Sequence, residues 1–243
     1  MNLNIKDRDN FLNNFVVPLS KITDSAVLKV SPSKIKSLIS TSDNTIIVNA
    51  EYDDDSINAT KTLNIPDLKK LCRIISCIED TTFSLDISSN FLGYNSNNVR
   101  FKYHLYDDGI IPSPKLSIDK LNSLAFDGKF TLPYSSVINL IKGSSVSTET
   151  NKIYISVKDK QIFGELTDKT RANIDSYGIN ISNDYDGTQF AIAIPLNFEI
   201  FRIISSMRFK ELQANLITKM GVITFDLNLD NSKFKFVISA LAN

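Results

Sequence analysis

The segment IPDLKKLCRIIS, residues 65–76, has a counterpart in IPLNFEIFRIIS, residues 194–205. Both begin with Ile-Pro and end with Arg-Ile-Ile-Ser, and each matched position lies 129 residues from its equivalent. In a chain of 243 residues, this repeat divides the sequence into two similar halves. Each copy predicts a strand that runs into a helix started by its proline, Pro66 or Pro195.

The first half contains two helical patterns among many short alternating segments. Asp7 is expected to cap the first helix, and Pro18 to end or kink it near Val17. The second helix starts at Pro66, and its predicted apolar face comprises Leu68, Leu71, Ile74, Ile75 and Ile78. Strands are predicted for residues 26–30, 35–40, 45–52, 58–65, 82–87, 90–94 and 99–106.

The second half repeats this order. Pro133 starts the third helix, Gly143 is its expected C-cap, and the fourth helix covers residues 195–207. Strands are predicted for residues 116–121, 153–157, 161–166, 174–181, 189–194, 211–218, 222–229 and 234–239. Each half therefore runs strand, helix, four strands, helix, three strands.

This order predicts an α+β fold of two similar domains, each with two helices packed on antiparallel sheet. Asp107-Asp108-Gly109, Pro112 and Pro114 interrupt the pattern between the halves. The predicted domains are residues 1–108 and 116–243, joined by a connector of residues 109–115.

Composition restricts the classes of function. The 27 basic and 27 acidic residues cancel, so a globally basic nucleic-acid-binding protein is excluded, and any DNA-binding surface must segregate its charge. No apolar run approaches the roughly 18 residues of a membrane span, and the first 20 residues lack the pattern of a secretion signal. Cys72 and Cys77 do not have a metal or thioredoxin spacing. We expect no membrane association and a cytoplasmic location.

Little in the sequence indicates catalysis. The only histidine, His104, lies inside a predicted strand, where a structural position is the usual one. Residues 53–55 are three aspartates that fit an ordinary solvated turn. Because phosphate-binding, nucleophile and zinc motifs are absent, we expect no enzyme activity, no cofactor and no metal.

The duplicated segment, the order of elements and the length together resemble the DNA sliding clamps. The similarity is strongest to the trimeric polymerase processivity factors of T-even-type tailed phages, and it extends over essentially the whole chain. It implies a homotrimeric ring around double-stranded DNA, with helices lining the hole and sheets outside. The partners implied are DNA, the replicative DNA polymerase, a clamp loader and two further copies of the chain.

Cations on the predicted helices are the candidate DNA-binding residues. Lys69, Lys70 and Arg73 share the helix face opposite the apolar stripe, and the repeat places Arg202 where Arg73 lies. Such a face attracts phosphates without distinguishing bases, which suits a sliding protein. An ordinary solvated helix face is the alternative explanation. The complete set is Arg8, Lys21, Lys69, Lys70, Arg73, Lys142, Arg202 and Arg208.

The resemblance also implies a head-to-tail interface and a pocket for client peptides. The last strand of the first half should meet residues 174–181 of a neighbour. The interface candidates are Phe101, Tyr103, Leu105, Ile174, Tyr177 and Ile179. Alternation alone fits an internal strand pair equally well. The pocket candidates are Ile110, Ile111, Pro112 and Leu241, which could instead serve only to dock the connector.

Two alternatives from other classes remain open at this stage. One is a structural virion protein built of tandem β-rich domains, which would not need basic helices facing one way. The other is a hydrolase with a site at the domain junction, which carboxylates clustered around His104 would favour. The location of the helices discriminates between these alternatives and the clamp.

Overall fold

Antiparallel strands form the framework of the protein in a computed structural model that describes residues 1–114, 123, 125–190 and 192–241. Two compact units account for the chain. Unit 1 comprises Met1–Ser42, Val48–Lys115 and Asn228–Phe234, and unit 2 comprises Asp43–Ile47, Leu116–Leu227 and Lys235–Asn243. The strand predicted for residues 116–121 lies outside the described residues.

Unit 1 contains two sheets in the orders β1-β6-β7-β8 and β4-β3-β2-β5. Their strands alternate buried and exposed residues, as half-covered sheets do; β3 buries Ile35 and Ile39 and turns Lys34 and Lys36 outward. The strands are β1 (Asn2–Ile5), β2 (Ala26–Ser31), β3 (Lys34–Ser40), β4 (Ile46–Asp53), β5 (Lys61–Ile65), β6 (Phe83–Ile87), β7 (Phe91–Asn95) and β8 (Arg100–His104).

The first helix, α1, begins as predicted at the Asp7 cap, whose carboxylate accepts the Asn10 N–H at 2.9 Å. It consists of an α-helical turn (Arg8–Phe11), a π-helical segment (Leu12–Val16) and a further α-helical stretch (Val17–Ile22). Of the two outcomes predicted at Pro18, the helix does not end there, but it departs from α-helical geometry in the π-helical segment just before Val17. The Val17 N–H donates to the Leu12 carbonyl five residues back, and this wider turn makes room for a proline ring that has no N–H to donate.

Aromatic packing holds α1 on the sheet of unit 1. The Phe11 ring meets the Tyr52 ring edge-on at a centroid distance of 5.1 Å, and Phe15 lies 5.5 Å from the same ring. All three side chains are almost fully buried. Each such pair contributes about 1 kcal/mol beyond its buried area, so these contacts fix which face of α1 looks inward.

The second helix, α2 (Leu68–Ser76), starts two residues later than predicted. Asp67, not Pro66, is at its beginning, and the Asp67 carboxylate accepts the Lys70 N–H at 2.8 Å. Pro66 therefore precedes the cap rather than occupying the first helical position. On the predicted apolar face, Leu68, Leu71 and Ile75 are buried and Ile74 is half-buried, while Ile78 is buried just beyond the end of the helix.

Unit 2 also contains two sheets, in the orders β12-β11-β10-β14 and β13-β9-β15-β16. The strands are β9 (Gly128–Pro133), β10 (Lys152–Lys158), β11 (Gln161–Leu166), β12 (Tyr177–Ser182), β13 (Asp186–Gly187), β14 (Ile194–Asn197), β15 (Glu211–Ile217), β16 (Val222–Leu229) and β17 (Ser232–Ser239). The first two residues of β4 belong to unit 2, and the first three of β17 belong to unit 1.

The helices of unit 2 are α3 (Tyr134–Gly143) and α4 (Glu199–Ser205), and a 3-10 turn covers Thr218–Met220. Pro133 ends β9 and is the N-cap of α3, while Ser144 rather than Gly143 is the C-cap. Pro195 does not start α4 as predicted. It lies within β14 on a sheet edge, where a missing N–H costs no ladder hydrogen bond. The strand predicted for residues 189–194 is therefore displaced to Ile194–Asn197.

The described elements confirm the α+β class and the repeated order of elements. In the second half, the structure adds the two-residue strand β13 and places a strand, β9, at Gly128–Pro133, where none was predicted. None of the described helices is long and apolar enough to cross a membrane.

Candidate nucleic-acid interface

The cationic face of α2 is the strongest candidate for a nucleic-acid interface. Because Leu68, Leu71 and Ile75 anchor one side of the helix, Lys69, Lys70 and Arg73 are exposed on the other. Within the part of the chain that the structure describes, neither the Lys70 ammonium nor the Arg73 guanidinium has a carboxylate within ion-pair distance. These two cations are therefore available to an external anion.

Lys69 differs from its neighbours. Its ammonium lies 2.9 Å from the Asp24 carboxylate, and this hydrogen-bonded ion pair raises the pKa of Lys69. The pair is exposed and exchanges readily with solvent ions. Lys69 must release Asp24 before it contacts a phosphate fully, so we rank it below Lys70 and Arg73.

A groove of about 710 Å³ runs between α2 and β8. Lys69, Lys70 and Arg73 line one side, and Lys102 and His104 line the other. The Lys102 ammonium lies 3.9 Å from the centre of the Phe91 ring, a cation–π contact that holds the side chain over the sheet. Lys102 and His104 were not predicted to belong to this surface, because period-two alternation gives no indication that β8 lies beside α2.

The remaining predicted cations fall into two groups. Lys21, Lys142 and Arg208 are exposed, at the ends of α1 and α3 and just after α4. Arg8 and Arg202 are already engaged within the protein. Arg8 donates to the Ile78 carbonyl and pairs with Asp9 at 2.7 Å.

Arg202 is held by three contacts. It pairs with Glu199 at 3.1 Å, donates to the Asn151 side-chain oxygen at 2.6 Å and lies over the Phe198 ring. Glu199 and Phe198 occupy the positions that Lys70 and Lys69 hold in the first copy of the repeat. The two copies thus differ in available charge as well as in sequence.

Two strands carry the predicted interface residues, and each has only one neighbour. β8 is the last strand of its sheet in unit 1, and β12 is the last strand of its sheet in unit 2. Phe101 on β8 and Tyr177 and Ile179 on β12 are half-buried, and so is Leu105, which follows β8 directly. Tyr103 is 2% exposed and is bonded to Asp67, and Ile174 precedes β12 rather than belonging to it.

The predicted pocket residues belong to separate units. Ile110 is 56% exposed in unit 1, followed by half-buried Ile111 and exposed Pro112. In unit 2, the Leu241 N–H donates to the Pro195 carbonyl at 2.8 Å, so the described end of the chain is held against β14.

Nothing at these sites resembles a catalytic centre. Among the described residues, no group of three or more His, Cys, Asp or Glu side chains could hold a metal ion. Burial raises the pKa of the Cys72 thiol, which disfavours a reactive thiolate.

The fold is that of the DNA sliding clamps. A. fulgidus PCNA, in a structure with the C-terminal region of FEN-1 bound, superposes with a TM-score of 0.75 at 12% identity, over 100% of this chain and 98% of that one. Proliferating cellular nuclear antigen from Entamoeba histolytica gives 0.75 at 14% identity, over 99% and 98%. The PCNA2–PCNA3 complex from Sulfolobus tokodaii gives 0.74 at 12% identity, over 100% of both chains.

No protein-family model matches the sequence, and no curated protein is a significant match to it. At identities of 12–14%, the structural similarity establishes the fold alone.

Proposed function

We propose that this protein is a sliding clamp that encircles double-stranded DNA and tethers the replicative DNA polymerase for processive synthesis. The observation that carries the proposal is the match of the whole chain, both units together, to the clamp fold. The role is non-catalytic. It needs a closed ring, a cationic surface toward DNA and a site for clients.

The ring is supported by a comparison between the two halves of the chain. β17 is the second-half counterpart of β8, and β4 is the first-half counterpart of β12, by order along the chain. β4 and β17 are hydrogen-bonded within each unit, through Asp53 and Asn231 in unit 1 and through Ser239 and Thr45 in unit 2, whereas β8 and β12 end their sheets. Joining β8 of one copy to β12 of the next would repeat between chains a pairing that each chain already contains.

Side-chain alternation suits such a joint. On β8, half-buried Phe101 alternates with exposed Arg100 and Lys102; on β12, Tyr177 and Ile179 alternate with exposed Gly178 and Asn180. Pairing the two edges would cover the half-buried apolar side chains and satisfy the unpaired strand edges. Head-to-tail contacts generate a ring when the rotation between copies closes, and the resemblance to phage clamps favours a ring of three copies.

Phosphate contact is assigned to the exposed helix cations, with Lys70 and Arg73 as the principal pair. Lys21, Lys69, Lys142 and Arg208 are secondary contacts, and Arg8 and Arg202 contribute after exchange of their internal partners. None of these side chains needs to contact a base edge, so binding would be independent of sequence and would permit sliding.

The clients are proposed to be the replicative polymerase and a clamp loader, with Ile110, Ile111, Pro112 and Leu241 forming the peptide pocket. The A. fulgidus PCNA structure has the C-terminal region of FEN-1 bound, which is a precedent for peptide capture by this fold. We further propose an origin among T-even-type tailed phages and a location in the host cytoplasm.

The test has two parts. Negative-stain electron microscopy of the purified protein should show rings with a central hole; filaments or shells would instead favour the virion-protein alternative. The protein is then incubated with nicked circular DNA under crowding conditions and separated by gel filtration. Co-elution with the circle that is lost when a restriction enzyme linearises it indicates topological linkage, and co-elution that survives linearisation would contradict encirclement.

A variant at the proposed β8–β12 interface tests whether ring formation and linkage to circular DNA depend on the same contact. Ile179→Asp places a charge on the half-buried edge of β12, where pairing would have to desolvate it. We expect a folded monomer that no longer co-elutes with circular DNA. Ile192→Asp is the matched control, since Ile192 is 78% exposed and lies outside β12.

A further inference from the structure

A polar groove of about 520 Å³ lies in unit 2 beside the end of β12. Residues 180–184 line it together with Thr131, Pro133, Ser136 and Glu211. Asp184 and Glu211 are its carboxylates. Within the described part of the chain, neither has a lysine or arginine within ion-pair distance. The groove thus carries two negative charges that the chain itself does not neutralise.

The Asp184 carboxylate is held in one orientation. One of its oxygens accepts the Thr131 N–H at 3.0 Å and also the Ser182 hydroxyl. Burial alone would raise the pKa of Asp184, but these hydrogen bonds outweigh burial and the pKa is lowered. The group is therefore ionised at neutral pH and already positioned to accept a further donor.

The opposite charge lies on the other unpaired edge. Arg100 begins β8, is exposed, and has no carboxylate partner among the described residues. Lys102 and His104 follow it on the same face of the strand. The free edge of unit 1 is therefore basic, and the groove beside the free edge of unit 2 is acidic.

The direction of pairing places these charges together. In unit 1, the Asp53 N–H at the end of β4 donates to the carbonyl of Asn231, just before β17. In unit 2, the Ser239 N–H at the end of β17 donates to the carbonyl of Thr45, just before β4. These strands run antiparallel, and an equivalent joint would set the start of β8 beside the end of β12.

The apolar alternation then limits the register. If Phe101 lies opposite Ile179 or Ile181, Arg100 lies opposite Asn180 or Ser182, because side chains alternate with a period of two. Both of these residues line the groove. In either register, the long Arg100 side chain begins opposite a groove residue that lies two or four positions before Asp184 in the chain.

We propose that Arg100 of a second copy of this chain occupies the groove and pairs with Asp184, so that each joint between chains is closed by opposite charges and loosens as salt rises. This inference rests on the proposed clamp function, since it specifies how the ring closes. A planar guanidinium suits a carboxylate that already accepts two bonds, because it donates in a fixed fork. The occupant is another copy of the chain, favoured by the complementary charges and the two unpaired edges.

The experiment compares self-association by analytical ultracentrifugation at tens of micromolar in 50 and 500 mM NaCl. Arg100→Glu and Asp184→Arg should each raise the dissociation constant roughly tenfold or more at low salt. The double variant should recover most of the lost affinity, because it restores an ion pair with the two charges exchanged. Wild-type association should weaken at high salt more than that of either single variant.

Lys219→Glu is the matched control, because it reverses an exposed charge in the 3-10 turn after β15, at the opposite end of that strand from the groove residue Glu211. Circular dichroism and thermal melting establish that each variant is folded. If both single variants weaken association and the double variant does not restore it, the pairing of Arg100 with Asp184 is overturned.

Association unchanged by either reversal, but abolished by Ile179→Asp, would overturn the electrostatic closure and leave the clamp proposal standing. A wild-type protein that stays monomeric at both salt concentrations would overturn both proposals.

Discussion

The Tyr103 hydroxyl donates to the Asp67 carbonyl at 2.8 Å and accepts the Asp67 N–H at 3.0 Å. One side chain of edge strand β8 thus satisfies both backbone groups of the residue that caps α2. The strand proposed to join the next subunit and the helix proposed to contact DNA are therefore held together by a single buried phenol.

Replacing Tyr103 with Phe leaves both Asp67 backbone groups without this partner. We expect a loss of about 1–3 kcal/mol in the free energy of unfolding at pH 7, measured by urea denaturation. Tyr106→Phe is the control, because Tyr106 is 47% exposed. Equal stability of the Tyr103 variant and wild type would show that the two hydrogen bonds contribute nothing net.

The same substitution changes the response to alkaline pH. Burial raises the pKa of Tyr103 to about 12, above the ordinary value of about 10. A group with a raised pKa in the folded state stabilises it fully below the unfolded pKa and loses that contribution as pH rises through the folded pKa. Between about pH 10 and 12, wild type should therefore lose stability more steeply than Tyr103→Phe.

The two copies of the repeat should differ in their contribution to DNA affinity. Lys70→Ala with Arg73→Ala removes two unpaired cations, whereas Arg202→Ala removes one that Glu199 and Asn151 already hold. We expect the slope of log affinity against log salt, measured by fluorescence anisotropy, to fall by about 0.9 for each phosphate that is no longer neutralised. A larger loss of affinity from Arg202→Ala than from the double variant would contradict the assignment.

Substitution by alanine should weaken self-association at Gly143 but not at Gly178. A Cβ at Gly143 would lie 2.0 Å from the Tyr177 ring, but at Gly178 its nearest neighbour would be a carbonyl oxygen at 4.0 Å. Gly143→Ala should therefore displace Tyr177 from the β12 edge and weaken self-association, despite the helix propensity it gains. Gly178→Ala should leave the dissociation constant of self-association within about twofold of the wild-type value, as measured by analytical ultracentrifugation.

An ion-pair network on the outer face of the unit 1 sheet should contribute to acid sensitivity. Glu51 accepts from Lys34 at 3.0 Å and Lys36 at 3.1 Å. Burial would raise the pKa of Glu51, but the two ammonium groups outweigh it and the pKa is lowered. Stability from this carboxylate is therefore present above the unfolded pKa, about 4.3, and is lost as pH falls through the lower folded value.

Glu51→Gln should thus reduce the loss of stability between pH 6 and pH 3. Because the network is partly exposed, we expect a difference of no more than about 1 kcal/mol in chemical denaturation. Lys158→Gln, which removes an exposed charge outside the network, should show the wild-type dependence on pH.

Much of the fold could be predicted from the sequence because local patterns were strong. Alternation in 161–166 and 222–229 gave strands at the observed bounds, and the stripe of Leu68, Leu71 and Ile75 identified the buried face of α2. The repeat itself gave the order of elements. These features depend only on period and spacing, which a single sequence contains.

The secondary-structure predictions were incorrect where the conformation depended on the surroundings of a proline or on tertiary contacts. Pro18 is accommodated by a π turn and Pro195 by a sheet edge, and neither context is visible from neighbouring residues. No strand was predicted at Gly128–Pro133, where β9 lies. In the candidate site, residue type identified Lys70 and Arg73, but only the structure shows that Arg8 and Arg202 are engaged internally and that Lys102 and His104 share the groove.

The basic face of β8 has a consequence for how the free chain avoids aggregation. An open strand edge readily pairs with any other edge, including its own copy. Two β8 edges brought together would set Arg100 and Lys102 of one chain against the same cations of the other, with no carboxylate between them on either strand. Like-charge repulsion would reject that back-to-back dimer and the irregular stacks that could grow from it. The cations that favour pairing of β8 with β12 of the next copy would therefore also disfavour pairing of β8 with β8 of another copy.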